Sequence, residues 1–536
     1  MLLQTFASEQ MKLDMKHFAK ILPLLFLCAA CNGSLFSPAV FDEPRVVKED
    51  SDMIVLGEKL DDPYTVENMS RALESVYGTK ASRVPVEPTD YYVRFLPENE
   101  AQYELLQNIG VEMLDHPVDY RILREGDYYH DPELAEGKIT WQYAVVSKDF
   151  AFPKKIRYEI LDECFLAENA GGGTKADWVD WNAVERESYR LTGNEAMLDR
   201  GTKADDGGGV PSGRVTILDN TKGEYVGVKG VKVSCNCFVK FAGAFTDEDG
   251  NYRMGKSFSS DVRYRLVFKN KMGFGIGFNL ILVPASVSSF GKHSPDGYDI
   301  TVDEKSEKIL FSRCAVNNAG YDYYKDCERT DIRKPPANLR LWLFKNLACS
   351  SAPMLQQGPV IDNSLLGEYF ADYTFLVKMF LPDITMGLRD SNDYSTIYSH
   401  AIHEMAHASH FMQVGVKYWD AYIKFVVKSF VTSGFVTYGT GMEDGHGYCE
   451  IGEMWAYYVQ TMFYREKFGD AAAAFGTSYW FRPQILVNLD SKGLTRGKTY
   501  DALSSDITDI DMLRKKLTSL YPELKNTINQ AFERYN

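Results

Sequence analysis

The chain has 536 residues with 45% hydrophobic, 25% charged and 13% aromatic side chains, so it can bury a sizeable core, and its length suits about three domains. Its formal net charge is −15 and its pI is near 5.2, which argues against nucleic acid and against an anionic membrane surface as partners. Its nine cysteines show no zinc-ribbon spacing.

Residues 1–30 read as a targeting segment. Lys16, His17 and Lys20 give a positive end, Ile21-Leu-Pro-Leu-Leu-Phe-Leu27 an apolar core too short to span a bilayer, and Ala29-Ala30 a small-residue cleavage site. Cys31 follows directly. The arrangement resembles a bacterial lipoprotein signal. That resemblance implies a lipidated Cys31 and a protein anchored in the bacterial cell envelope, at the outer membrane, where several acyl chains hold it stably. A plain secretory signal is the alternative. Residues 31–50 read as a tether. With Cys28 removed and Cys31 lipidated, Cys164, Cys235, Cys237, Cys314, Cys327, Cys349 and Cys449 remain, an odd set that leaves at least one free. Cys235 and Cys237 alternate on one strand face and cannot easily bond each other. Cys314 and Cys327 flank a polar stretch that reads as a loop, and are a candidate pair.

Residues 51–165 read as an α+β unit. Met53–Leu56 and Tyr91–Leu96 have strand composition, and Val66–Val76 and Glu98–Ile109 have helical spacing, the first opening at Thr65, a good N-cap. Such a unit suits a prodomain or a spacer. Across 166–210, Ala176–Asp199 reads as helix and Gly201–Gly209 as a flexible linker.

Residues 211–303 change to short strands: Arg214–Ile217, Val231–Val233, Phe238–Phe241 and Val262–Phe268, with Tyr264, Leu266 and Phe268 alternating onto one face. Thr246-Asp-Glu-Asp-Gly-Asn-Tyr252 places a tight Asp-Gly turn before Tyr252. This stretch resembles the carboxypeptidase regulatory-like (transthyretin-like) β-sandwich, in which Gly-Val-x-Val and Thr-Asp-x-x-Gly-x-Tyr recur. Asp247 and Asp249 read as solvated turn residues rather than a calcium site.

Residues 330–536 carry the chemistry. Leu339–Leu347 fits a strand or a short helix, and Phe380–Gly387 reads as a strand whose edge could pair with an extended substrate. Asp393–Val414 lacks proline and carries an apolar stripe, Ile397, Ala401, Ile402, Met405, Ala408 and Met412, at helical spacing. Within it lies His403-Glu404-Met405-Ala406-His407. Positions i and i+4 stack on one helix face, so both imidazoles can reach one metal ion, while Glu404 is offset towards a water. A third ligand is needed. His410 lies seven residues from His403, about 10.5 Å along a helix, too far to share an ion held at about 2 Å. Glu453, opening an aromatic helix-compatible run, is the better candidate, because a carboxylate there is costly to bury unpaired; Glu450, one turn earlier, is the runner-up. The loop Thr432–Tyr448 offers His446, Tyr448 and Tyr438 as donors to a developing oxyanion. Asp511–Tyr535 reads as closing helices.

His403, Glu404, His407 and Glu453 together resemble the gluzincin zinc metallopeptidases, whose third ligand is a glutamate on a second helix. The resemblance spans roughly residues 370–470. It implies Zn²⁺ held by His403, His407 and Glu453, Glu404 as general base, and a peptide or protein substrate. The gap between His407 and Glu453 (453 − 407 = 46) is longer than in the thermolysin-like and aminopeptidase-like families. Gly441-Met-Glu-Asp444 resembles the aminopeptidase G-x-M-E-N box but follows the H-E-x-x-H instead of preceding it, so aminopeptidase activity is not implied.

The expected whole is multidomain: an α+β N-terminal unit, an immunoglobulin- or transthyretin-like β-sandwich, and a mainly α zincin-like catalytic domain with a small edge sheet over 330–536. The expected function is a membrane-anchored zinc peptidase. The competing class is a non-catalytic binding or adhesion lipoprotein whose metal motif is coincidental or decayed. A zinc hydrolase acting on a non-peptide amide is the third.

Overall fold

The computed structural model describes residues 53–134, 139–170, 178–198, 208–277, 285–345, 350–358, 382–432, 438–469 and 473–535. The targeting segment, Cys31, the tether, most of the glycine-rich linker, Cys349 and the Phe380 end of the expected strand lie outside them.

The N-terminal part runs β1 (Val55–Lys59), α1 (Val66–Tyr77), β2 (Asp90–Leu96), α2 (Glu100–Asn108), β3 (Tyr120–Arg124), β4 (Gln142–Ser147), β5 (Arg157–Cys164) and α3 (Trp181–Leu191). Thr65 caps α1 as its residue type predicts, its side chain accepting from the amide of Asn68. β2 lies between β4 and β5 in an antiparallel sheet, and β1 pairs with β3. Met69, Ala72 and Leu73 of α1 pack with Trp181 and Val184 of α3. The helix expected over 176–199 is confined to the stretch that Asp180 caps.

The next elements are β6 (Ser212–Asp219), β7 (Glu224–Gly227), β8 (Val231–Cys237), β9 (Lys240–Phe245), β10 (Asn251–Arg253), β11 (Val262–Asn270), β12 (Gly275–Gly277), β13 (Val287–His293) and β14 (Ile300–Val302). One sheet is ordered β10-β6-β14, with β7 also on β6. Tyr264, Leu266 and Phe268 point into the core, as alternation predicts. Gly250 makes the Asp-Gly turn at φ +84°, where a Cβ would meet the carbonyl oxygen of Val215 at 2.1 Å. Asp247 Oδ1 accepts from the amides of Asp249 and Asn251, an acidic turn satisfied by its own backbone. The strand expected at Phe238–Phe241 starts later. Phe238 has φ +47° and forms the hairpin turn, its carbonyl held by the Asn236 amide.

Then come α4 (Lys308–Thr330), β15 (Arg340–Phe344), β16 (Ile384–Gly387), α5 (Tyr394–Val414), α6 (Val416–Thr432), α7 (His446–Phe468), α8 (Gln484–Asp490), α9 (Arg496–Asp501), α10 (Ile510–Leu520) and α11 (Lys525–Arg534). Within the stretch 339–347, Arg340–Phe344 is a strand, and residues 346–347 lie outside the described ones. β15 and β16 join the second sheet, whose order is β16-β15-β12-β11-β8-β9 with β13 also on β11. β12, β15 and β16 are mutually parallel, so this sheet runs from the strands of residues 231–293 into the region of the H-E-x-x-H. The architecture mixes helices with several open sheets.

Cys314 and Cys327 do not form a bridge. Both lie on the single helix α4, thirteen residues and about 20 Å apart, and both are buried free thiols. The polar stretch between them is helical because its side chains have partners outside the helix: Asn317 Nδ2 donates to the Lys229 carbonyl and Asn318 Nδ2 to the Gly227 carbonyl. Gly320 lets α4 wedge between sheet and α5, since a Cβ there would lie 2.6 Å from the Phe274 ring and 2.7 Å from Met405 Cε. One apolar core accordingly runs from the strands β6–β14 through α4 to α5 and α7. No helix among the described residues is long and apolar enough to cross a membrane.

Candidate metal centre

α5 begins at Asp393, whose carboxylate accepts from the amide of Thr396, and ends at Gly415. Its apolar stripe is buried except at Met412, which is 39% exposed near the helix end. α7 packs alongside, and Trp455 Nε1 donates across the interface to the Ala406 carbonyl at 3.0 Å. This pairing brings Glu453 of α7 to the histidine face of α5.

Three donors converge there. His403 Nε2 and His407 Nε2 are 3.1 Å apart; Glu453 Oε2 is 3.5 Å from His403 Nε2, and Glu453 Oε1 is 3.4 Å from His407 Nε2. Two ligands about 2.05 Å from an ion at a tetrahedral angle stand about 3.3 Å apart; the nitrogen–nitrogen separation and the nearest approach of the Glu453 carboxylate to each histidine, made through a different oxygen in each case, lie close to that value. All three side chains are buried, and Glu453 Oε2 has no hydrogen-bond partner among the described residues. An orphaned carboxylate oxygen in a dry interior is costly unless something positive sits beside it. His403, His407 and Glu453 can hold a metal ion.

The electrostatics agree. Burial opposes charge on Glu453, but the two imidazoles outweigh it and hold the carboxyl at about 2. Burial pushes His403 below the usual imidazole range. An ionised carboxylate beside a neutral imidazole is the state a divalent cation needs.

Two residues that the sequence did not single out hold the ligands in place. Gln460, two turns after Glu453 on the same face of α7, brings Oε1 to 3.1 Å from His403 Nδ1, and its Nε2 reaches Ser399 Oγ at 3.4 Å. Tyr422 of α6 donates its hydroxyl to Glu453 Oε1 at 2.6 Å. An isolated amide inside the aromatic run Trp455–Phe463 was the available signal for Gln460. Tyr422 carried none, being one of several aromatics on α6. The rings of Tyr457 and Trp419 flank the two histidines at 4.4 and 5.9 Å.

The other sequence candidates go elsewhere. Glu404 is buried on α5 beside His403. Glu450, the runner-up ligand, pairs with Arg482 at 2.6 Å. His410 lies outside the triad, packed edge-on against Tyr418 and Trp419, with neither ring nitrogen hydrogen-bonded. His446 places Nδ1 2.9 Å from the Glu443 carbonyl and its ring against Trp480. Tyr448 packs on Tyr418, and Tyr438 is buried against Tyr479 and Phe481. Among these contacts none joins His446 or Tyr448 to the triad. The expected substrate edge is also covered: the amide and carbonyl of Thr385 in β16 already pair with Ser351 at 2.8 and 2.9 Å.

Comparison of the chain with protein-family models, with curated proteins and with solved structures gives no match.

Proposed function

We propose that the chain is a zinc-dependent peptidase, with His403, His407 and Glu453 as metal ligands and Glu404 as general base. The observation that carries the reading is the convergence of three buried donor side chains within an H-E-x-x-H frame. Zinc bound there would polarise a substrate carbonyl and acidify a water at its fourth position. His403 and His407 present Nε2, Gln460 fixes the orientation of His403, and Tyr422 fixes that of Glu453. Glu404, offset by one residue from the ligand face, takes the proton of the attacking water as the C–O bond forms. It then passes that proton to the amide nitrogen as the C–N bond breaks. The substrate is a peptide or protein.

Anchoring in the bacterial cell envelope through lipidated Cys31 is part of the same proposal and rests on the sequence of residues 16–31. The acidic chain gives nucleic acid no role as a partner.

The test is elemental analysis beside a peptide-hydrolysis screen. Wild type and Glu404→Gln should each hold about one zinc per chain, while Glu404→Gln loses at least about a hundredfold in hydrolysis. Undiminished hydrolysis in Glu404→Gln removes its assigned role, and a folded wild type that takes up no zinc removes the reading.

A further inference from the structure

A second, separate feature lies where the N-terminal part meets the sandwich. A cleft of about 40 Å³ is walled by Arg263, Arg265, Lys292 and His116, with apolar sides that include Leu60 and Val118, and no carboxylate lines it. Three cations on one wall of a chain carrying −15 overall need a reason.

The sheet register sharpens the point. Arg263 and Arg265 are two apart on β11, so they share a face. Lys292 of β13 is the direct cross-strand partner of Arg263. Like charges directly opposite each other destabilise a sheet. Glu125 neutralises Arg263 from the neighbouring cleft. Arg265, only 3% exposed, has no carboxylate within ion-pair distance among the described residues. Its guanidinium donates to Asn236 Oδ1 at 2.5 Å and lies 3.5 Å from His116 Nε2. The nearby acids are engaged: Asp115 by His116 Nδ1 and the Tyr129 amide, Glu112 by Lys232. Among the described residues, Lys292 Nζ meets only the Met197 sulfur, at 3.3 Å. Neither Arg265 nor Lys292 has an ion-pair partner among the described residues, and the charge of Arg265, offset only at longer range by Asp115 and Glu112, lies in a dry interior where a poorly compensated charge is expensive.

We propose that this cleft binds a tetrahedral oxyanion, a phosphate or sulfate group, with Arg265 and Lys292 as its charged donors. The space is enough for roughly three waters and hence for one small oxyanion. A planar guanidinium suits such a group through paired N–H donors, and a lysine adds a point charge at the rim. Burial pushes Arg265 down to about 10, and burial with the charge of Arg265 pushes Arg263 to about 9. A bound anion beside Arg265 would relieve it.

The experiment is calorimetric titration of the full chain with inorganic phosphate and with inorganic sulfate at constant ionic strength, chloride being the control. The expected result is saturable binding of at least one of them. Lys292→Gln, at an exposed position that leaves the fold intact, should weaken it at least threefold. Arg265→Met should abolish it, with folding checked by circular dichroism. Glycerol 3-phosphate serves as a second arm: tighter binding than phosphate assigns the site to a phosphomonoester, and equal or weaker binding to the free anion. Heats no different from chloride, or affinity unchanged in folded Lys292→Gln and Arg265→Met, overturn the proposal.

Discussion

Gln460 and His403 meet across the α5–α7 interface, the amide oxygen 3.1 Å from imidazole Nδ1. An oxygen at that distance accepts the Nδ1–H and leaves Nε2 bare towards His407 and Glu453. One helix thus supplies both one member of the triad and the group that sets the tautomer of another.

Gln460→Leu should therefore weaken zinc binding by about 10–100-fold while leaving the ligands intact. Chelator-competition titration measures this directly. Affinity equal to wild type would show that His403 needs no such partner.

Tyr422→Phe removes the hydroxyl donor to Glu453 Oε1. In the metal-free protein it should cost about 1–3 kcal/mol, because a buried carboxylate oxygen loses its partner. Urea unfolding in the presence of chelator reads this out. With zinc added, the loss should shrink, since the metal then holds the carboxylate.

His410→Leu should leave the zinc content at wild-type level, because His410 lies outside the triad. It should also raise the thermal midpoint. Burial pushes His410 down to about 3, and both ring nitrogens lack hydrogen bonds, so the change removes two unsatisfied polar atoms. Loss of zinc in this variant would restore His410 as a ligand.

Asp383 precedes β16 and is fully buried; burial pushes its carboxyl up to about 7, against hydrogen bonds from the Arg340 amide and Gln357. Its folded pKa lies above the unfolded value, so the folded state retains the proton between about pH 4 and pH 7, and stability falls as pH rises through that window. Asp383→Asn should flatten this slope. Its stability should match wild type near pH 4 and exceed it above pH 7, by up to about 4 kcal/mol. Thermal unfolding of both proteins from pH 4 to pH 8 tests the sign.

Much of the site was legible before the structure. The i, i+4 histidines, the Asp393-headed helix and the costly carboxylate of Glu453 each carry a local signal, and the fold brings the three side chains together. Thr65 likewise announced α1. What escaped was tertiary. Tyr422 matters only because α6 brings its hydroxyl to Glu453. Asn317, Asn318 and Gly320 argue locally against helix, yet contacts with the 227–229 turn, Phe274 and Met405 place them in one. The pairing of β12 with β15 joins segments separated by the whole of α4, and no periodicity encodes a partner that distant.

That parallel ladder also limits how the polypeptide can be divided. Leu341 of β15 stands beside Ile276 of β12 and Ile384 of β16, so backbone hydrogen bonds stitch together stretches lying on either side of residue 303. A fragment ending there would expose the flank of β12 as a raw, adhesive edge, and the complementary fragment would lose the strand on which β15 is templated. Excised pieces would be expected to clump or to seek each other out. A scissile nick just before α4, by contrast, would leave two halves clasped as a non-covalent pair.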